Sequence, residues 1–260
     1  MKLSELLNIA LVVMLIVVLV KKQKNTIKND NTETELLIDT HTLDTTHFKK
    51  SIGKRPQLYA MPAMVVGSYD ADGTPNIMSA SWVGVVNSDP LSMSVSLRKS
   101  TKTYSNLMAN QAFTLNVPSE VLTAHIDWIG HYSGYDVDKF DLLSLTPIKS
   151  EFVNAPYVKE FPLIIECKVI LHQDLGRHTQ FIGEVMDVKM DTVIAKRDNP
   201  NIPDPRKLKP IVVATGTGYF GYGNFLGRGG KIYQDIHIVP PNLEEIELQK
   251  KERRLKIKKQ

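Results

Sequence analysis

The chain has 260 residues, 42% hydrophobic and 23% charged, with one cysteine and a formal net charge of +4. That length suits one large domain or two small ones, and the ordinary composition excludes collagen, a disulfide scaffold and wholesale disorder. Five lysines against Glu5 in residues 1–28, and seven bases against four glutamates in residues 241–260, leave 20 bases and 23 acids between the two ends; a nucleic-acid-binding fold carries its positive charge on the fold itself, which excludes nucleic acid as a partner.

Residues 6–20, LLNIALVVMLIVVLV, are apolar except for Asn8 and run directly into Lys21 and Lys22. As a helix this stretch reaches about 22 Å, against roughly 30 Å of bilayer hydrocarbon. The length also fits the core of a signal peptide, but no small-x-small cleavage site follows. We expect residues 1–22 to form a separate N-terminal hydrophobic helix that tethers the protein to a membrane. The lysines after it place the body on the cytoplasmic side. The alternatives are a cleaved signal with export, or a buried helix of a cytoplasmic protein. Residues 23–47 read as a polar linker. Residues 48–238 read as the folded domain, and 239–260 as a charged tail whose acids precede its bases along a helix.

In the body, short apolar stretches alternate with turns. AMVVGSY is followed by the hairpin-type turn Asp70-Ala71-Asp72-Gly73 and then by PNIMSASWVGVV. LSMSVSL alternates with period two, and FTLNV, LIIECKVIL and FIGEVMDVKM continue the strand pattern. Helical periodicity is confined to TKTYSNLMANQ and SEVLTAHIDWI. Many strands and few helices predict a mainly β fold, closed or sandwiched. GTGYFG at residues 216–221 matches a dinucleotide fingerprint formally, but seven of the fifteen glycines fall in residues 216–230. The segment reads as a loop rather than as the helix that fingerprint requires. No Cys/His cluster suggests a metal site.

The chemistry-bearing residues lie in three successive pieces. Ser79, Ala80, Ser81 and Trp82 offer small side chains beside a tryptophan. Arg98, Lys99, Ser100, Thr101, Lys102 and Thr103 place bases and hydroxyls at the start of a helical segment. That combination can hold a phosphate, or can equally be a Ser/Thr N-cap flanked by surface lysines. Asn116, Val117 and Pro118 end the next strand.

The order of these pieces, together with Asp138-Lys139-Phe140, Glu166-Cys167-Lys168 and Phe181-Ile182-Gly183-Glu184-Val185, resembles the flavin reductase-like family over roughly residues 48–230. The resemblance implies an FMN-binding split β-barrel of Greek-key type with a few peripheral helices. It implies an NAD(P)H-dependent oxidoreductase that reduces flavin or a related acceptor by hydride transfer to flavin N5. The alternative is a flavoredoxin-like electron carrier that serves partner proteins and has no substrate of its own. By the same resemblance, Ser79, Ala80, Ser81 and Trp82 line the flavin ring. Arg98, Lys99, Ser100, Thr101 and Thr103 hold its phosphate, and Asn116, Val117 and Pro118 close on it, although Asn116 reads equally well as a strand-end hydrogen-bonding residue. His178 is the catalytic candidate near the nicotinamide or flavin, or else a half-exposed strand histidine. Many members carry an acid just before this histidine, where this chain has Arg177. A homodimer is also implied.

Overall fold

Alternation of apolar residues across the middle of the chain becomes a strand-rich body in the computed structural model, which describes residues 49–214, 218–223, 248 and 251. The chain divides at Arg55–Pro56 into two units. In the first, the described residues make local bonds only, such as Arg55 Nε to the Ile52 carbonyl. The expected hydrophobic helix at 1–22, the linker at 23–47 and nearly all of the tail at 239–260 lie outside the described residues. Among the described residues no helix is long and apolar enough to cross a membrane.

The second unit runs through β1 (Met61–Pro62), β2 (Met64–Tyr69), β3 (Pro75–Ala80), β4 (Val83–Ser88) and β5 (Leu91–Arg98). Helix α1 (Lys102–Asn110), β6 (Ala112–Val117) and α2 (Thr123–His131) follow. The single turn α3 (Lys139–Leu142) leads to β7 (Pro147–Lys149), β8 (Pro156–Val158), β9 (Leu163–Asp174) and β10 (His178–Met190). The turn α4 (Pro205–Leu208), β11 (Val212–Ala214) and β12 (Gly218–Phe220) complete it. The main sheet has seven strands in the order β3-β2-β6-β9-β10-β5-β4, and every pairing is antiparallel. A separate three-stranded sheet has the order β1-β11-β12, and the Ala63 amide donating to the Ile211 carbonyl extends its β1–β11 pairing.

Period-two alternation sends neighbouring residues to opposite faces, and here both faces are buried. Val65 packs with Ile126, Ile129, Phe140 and Phe161. Val66 faces the other way, to Val95, Leu107, Phe113, Phe181 and the only cysteine, Cys167. A Cβ on Gly183 would stand 2.7 Å from the Phe113 ring and 2.9 Å from Cys167 Cβ, so β9, β10 and β6 approach this closely only over a glycine.

Local chemistry sets the ends of the elements. Asp70 Oδ1 accepts the amides of Asp72 and Thr74, and Gly73 takes φ +79°, closing the expected hairpin. Thr101 caps α1, and Gln111 ends it in the left-handed region at φ 51°. Two expectations change. PNIMSASWVGVV is not one strand: β3 pairs with β2, β4 pairs with β5, and the chain crosses between the sheet's two ends at Ser81-Trp82. Residues 218–220 of the glycine-rich segment form β12 on β11, so the formal fingerprint opens a strand where a dinucleotide site needs a helix.

Asn116 lies wholly buried in β6. Its Nδ2 donates to the Val65 carbonyl at 2.9 Å, and its Oδ1 accepts the Val158 amide at 2.8 Å, tying β2, β6 and β8 together. Asn116→Ala leaves both backbone groups dry and unpaired, and we expect a stability loss of about 2–4 kcal/mol in urea unfolding. A loss well under about 1 kcal/mol would mean that these bonds do not hold the strands.

Candidate functional site

The break between β3 and β4 opens a cleft of about 550 Å³, within the size range of small-molecule sites. Its walls come from β3 (Asn76, Met78, Ser79, Ala80), the break (Ser81, Trp82), β5 (Ser96, Arg98), and the start of α1 with its preceding turn (Ser100, Thr101, Lys102, Thr103). The end of α2 and its following loop (Ile129 to Gly134), Lys139 and His178 complete the lining. The structure therefore brings together Ser79, Ala80, Ser81, Trp82, Arg98, Ser100, Thr101, Thr103 and His178 from separate parts of the chain.

One end of the cleft is built to attract an anion. The first amides of α1, at Lys102 and Thr103, have no intrahelical acceptor, and the helix dipole adds to them. Thr103 Oγ1 is buried and accepts Asn76 Nδ2 at 2.9 Å, leaving its own proton free. Asn76 also reaches Ser68 Oγ at 3.4 Å, and Asn106 Nδ2 donates to that same oxygen at 3.0 Å. Thr101 behaves as a cap: its hydroxyl donates to the Arg98 carbonyl at 2.9 Å and accepts the Tyr104 amide at 3.2 Å. The capping role expected of this stretch thus falls to Thr101, while Thr103 lines the cleft.

The other end is flat and aromatic. The Trp82 ring, 48% exposed, stacks on the His178 imidazole with centroids 4.7 Å apart and planes 29° apart. Partial burial, with the nearby guanidiniums of Arg98 and Arg177, holds the His178 pKa below its ordinary value, which keeps the ring neutral at neutral pH.

Four expected residues do not reach the cleft. Lys99 turns away to an ion pair with Asp174 at 2.7 Å. Asn116 spends its amide on backbone, as described above. Val117 packs against Ile194 and Leu208, and Pro118 is buried beside it. Central strand residues are enclosed by their neighbours on both faces, and this leaves them no route to the cleft.

Lys139 is the functional candidate that the sequence reading passed over. It is 4% exposed, lines the cleft, and donates to the Ile129 carbonyl at 2.7 Å, at the C-terminal end of α2. Among the described residues no carboxylate pairs with it. Burial pulls its pKa down to about 8. Its helix α3 is a single turn capped by Asp138, too short for periodicity to show which way the lysine faces. The loop between α2 and α3 closes the wall over it. Gly130 and Gly134 allow this, since a Cβ on Gly134 would collide with the Asn76 amide and one on Gly130 would press on Ser79 at 3.3 Å. Tyr135 and Ser105 share a hydroxyl hydrogen bond of 2.9 Å that ties the loop to α1.

The family model described as "Flavin reductase like domain" matches residues 56–203. The solved flavoredoxin of Desulfovibrio vulgaris (Miyazaki F) is 45% identical with a TM-score of 0.67, the likeness covering 71% of this chain and 98% of that one. An uncharacterised protein of Archaeoglobus fulgidus is 33% identical over 114 residues, 44% of this chain and 64% of that protein. A ferric-chelate reductase (NAD(P)H) of the same organism is 27% identical over 112 residues, 43% of this chain and 65% of that one. The chain thus spans slightly under two thirds of both Archaeoglobus relatives.

The Lys139 shift has a definite sign. Between about pH 8 and pH 10.5 the unfolded chain holds a proton that the folded protein has released, so stability rises with pH in that window. Relative to Lys139→Met, the wild-type protein should gain up to about 3 kcal/mol between those pH values in paired urea titrations. A wild-type-minus-variant difference that stays constant across the window would show the lysine to be solvated.

Proposed function

The chain belongs to the flavin reductase-like family, and on that premise we propose that it is an FMN-binding oxidoreductase taking electrons from NAD(P)H. It passes them to flavin or a related acceptor. When bound, the flavin supplies the redox chemistry, accepting hydride at N5 and returning electrons singly or in pairs. The protein's part is to bind, orient and keep water away.

One observation carries this reading. Among the described residues, a buried ammonium lining a roomy cleft has only a backbone carbonyl for a partner. An ionic group held out of water is costly unless a compensating charge or dipole meets it, and the electron-rich edge or phosphate of a flavin provides one. The donor set fits the same group. Thr103, Ser100, Arg98 and the first amides of α1 suit a single phosphate, which favours FMN. The small residues Ser79, Ala80 and Ser81 admit a flat ring beside strand backbone. Trp82 and His178 cover the ring and shield it from solvent. His178, neutral at neutral pH, borders the approach of the donor and helps to position it.

The likeness to flavoredoxin favours a second reading, an electron carrier that acts between partner proteins. A homodimer is also part of the proposal. Val85 (68% exposed), Val86 (45%) and Leu91 (46%) stand on and beside the edge strand β4, next to Trp82, and a second copy would cover them. Light scattering of the Val85→Glu, Val86→Glu double variant should then report a monomer where the wild-type protein reports a dimer.

The test of function uses the full chain loaded with FMN under anaerobic conditions. NADPH or NADH should bleach the flavin and sustain turnover with excess free FMN. Retained flavin that neither nicotinamide reduces would favour the carrier, and failure to retain any flavin would overturn both readings. Thr103→Val should weaken FMN binding about tenfold, whereas Lys99→Ala, whose lysine is paired with Asp174, should leave it nearly unchanged.

A further inference from the structure

Beside the cleft, at the tip of the hairpin between β9 and β10, basic side chains gather around His178. Arg98 and His178 are directly opposite each other across β5 and β10. Arg177 precedes His178, and its carbonyl accepts the Lys99 amide, which draws the hairpin tip onto the end of β5. Burial, and after it the positive charges of Arg98 and Arg177, lowers the His178 pKa. The carboxylate at the hairpin tip, Asp174, is already engaged by Lys99 Nζ and by the Gly176 amide. Among the described residues neither Arg98 nor Arg177 has a carboxylate within ion-pair distance.

Guanidinium forks match phosphate oxygens in a bidentate way that lysine does not. The cofactor phosphate proposed above is directed to the hydroxyls and amides at the start of α1, which leaves Arg177 outside that cradle and outside the cleft lining. A donor whose nicotinamide enters beside Trp82 and His178 must trail its phosphates out over this rim.

We propose that Arg177 is a second phosphate-recognition point that engages a phosphate of the nicotinamide donor. This deepens the donor reading given above and rests on it. The phosphate is either the 2′-phosphate that only NADPH carries or the pyrophosphate common to both dinucleotides.

The experiment is steady-state kinetics of the FMN-loaded full chain with NADPH and with NADH, for wild type, Arg177→Ala and Arg177→Asp. Arg177 is exposed and its side chain makes no hydrogen bond among the described residues, so the variants should fold and keep their flavin, which flavin content and FMN affinity verify. Arg177→Ala should raise KM about tenfold with kcat nearly unchanged, and Arg177→Asp should raise it further. Rising salt should increase the wild-type KM and affect the alanine variant less. A rise confined to NADPH identifies the 2′-phosphate, and an equal rise with both donors identifies the pyrophosphate. Unchanged KM for both donors in both variants overturns the site while the donor reading stands. A wild-type protein that oxidises neither dinucleotide overturns the donor reading and this site with it.

Discussion

The hydrogen bond from Asn76 Nδ2 to Thr103 Oγ1 is the joint on which the site depends. It fastens β3, an edge of the sheet, to the first turn of α1, and Ser68 and Asn106 complete a small buried network around it. Buried polar groups of this kind are costly unless every member is paired, so the network fixes where α1 begins relative to the strand. The same asparagine presses on Gly134, which sets how closely the loop after α2 can approach. Three walls of the cleft thus take their spacing from one side chain.

The sheet supplies the remaining constraint. β3 and β4 are consecutive in the chain and lie at opposite ends of the seven-stranded order. The two residues between them must therefore cross the gap, and the crossing is anchored where the Ser96 amide donates to the Trp82 carbonyl at 3.0 Å. An edge-to-edge crossing exposes backbone and an aromatic ring at the mouth of the cleft, where a central strand would bury both. The electrostatics follow the same division. Cations at the rim are solvated or paired, as Lys102 is with Asp70 at 3.0 Å, whereas the cation inside the wall, Lys139, has been stripped of water and given one carbonyl.

Much of this was legible in the residues. Period-two alternation in LSMSVSL, the Asp70–Gly73 turn and the hydroxyl at Thr101 act over short range, and each produced the element it announced. The order of motifs pointed to the family. What could not be read depends on partners far along the chain. Asn116 looks like a polar residue at a strand end, and only Val65 and Val158, drawn in from β2 and β8, make it a structural tie. Lys99 looks like a phosphate ligand until Asp174, from the far hairpin, takes it. Lys139 looks like a surface lysine until α2 and its loop fold over it. In each case tertiary packing decides whether a polar side chain serves the backbone, a counter-charge or a ligand.

The placement of Cys167 has a consequence of another kind. Its sulfur is wholly buried on β9, and that burial, with the Glu166 carboxylate beside it, pushes the thiol pKa up to about 12. Oxidation of cysteine begins from the thiolate, which is almost absent there at neutral pH. A protein whose family handles electrons at a flavin thereby keeps its single sulfhydryl out of the circuit. Peroxide formed nearby meets no ready thiolate while the fold stays closed, and sulfenylation of Cys167 would register damage to the fold itself.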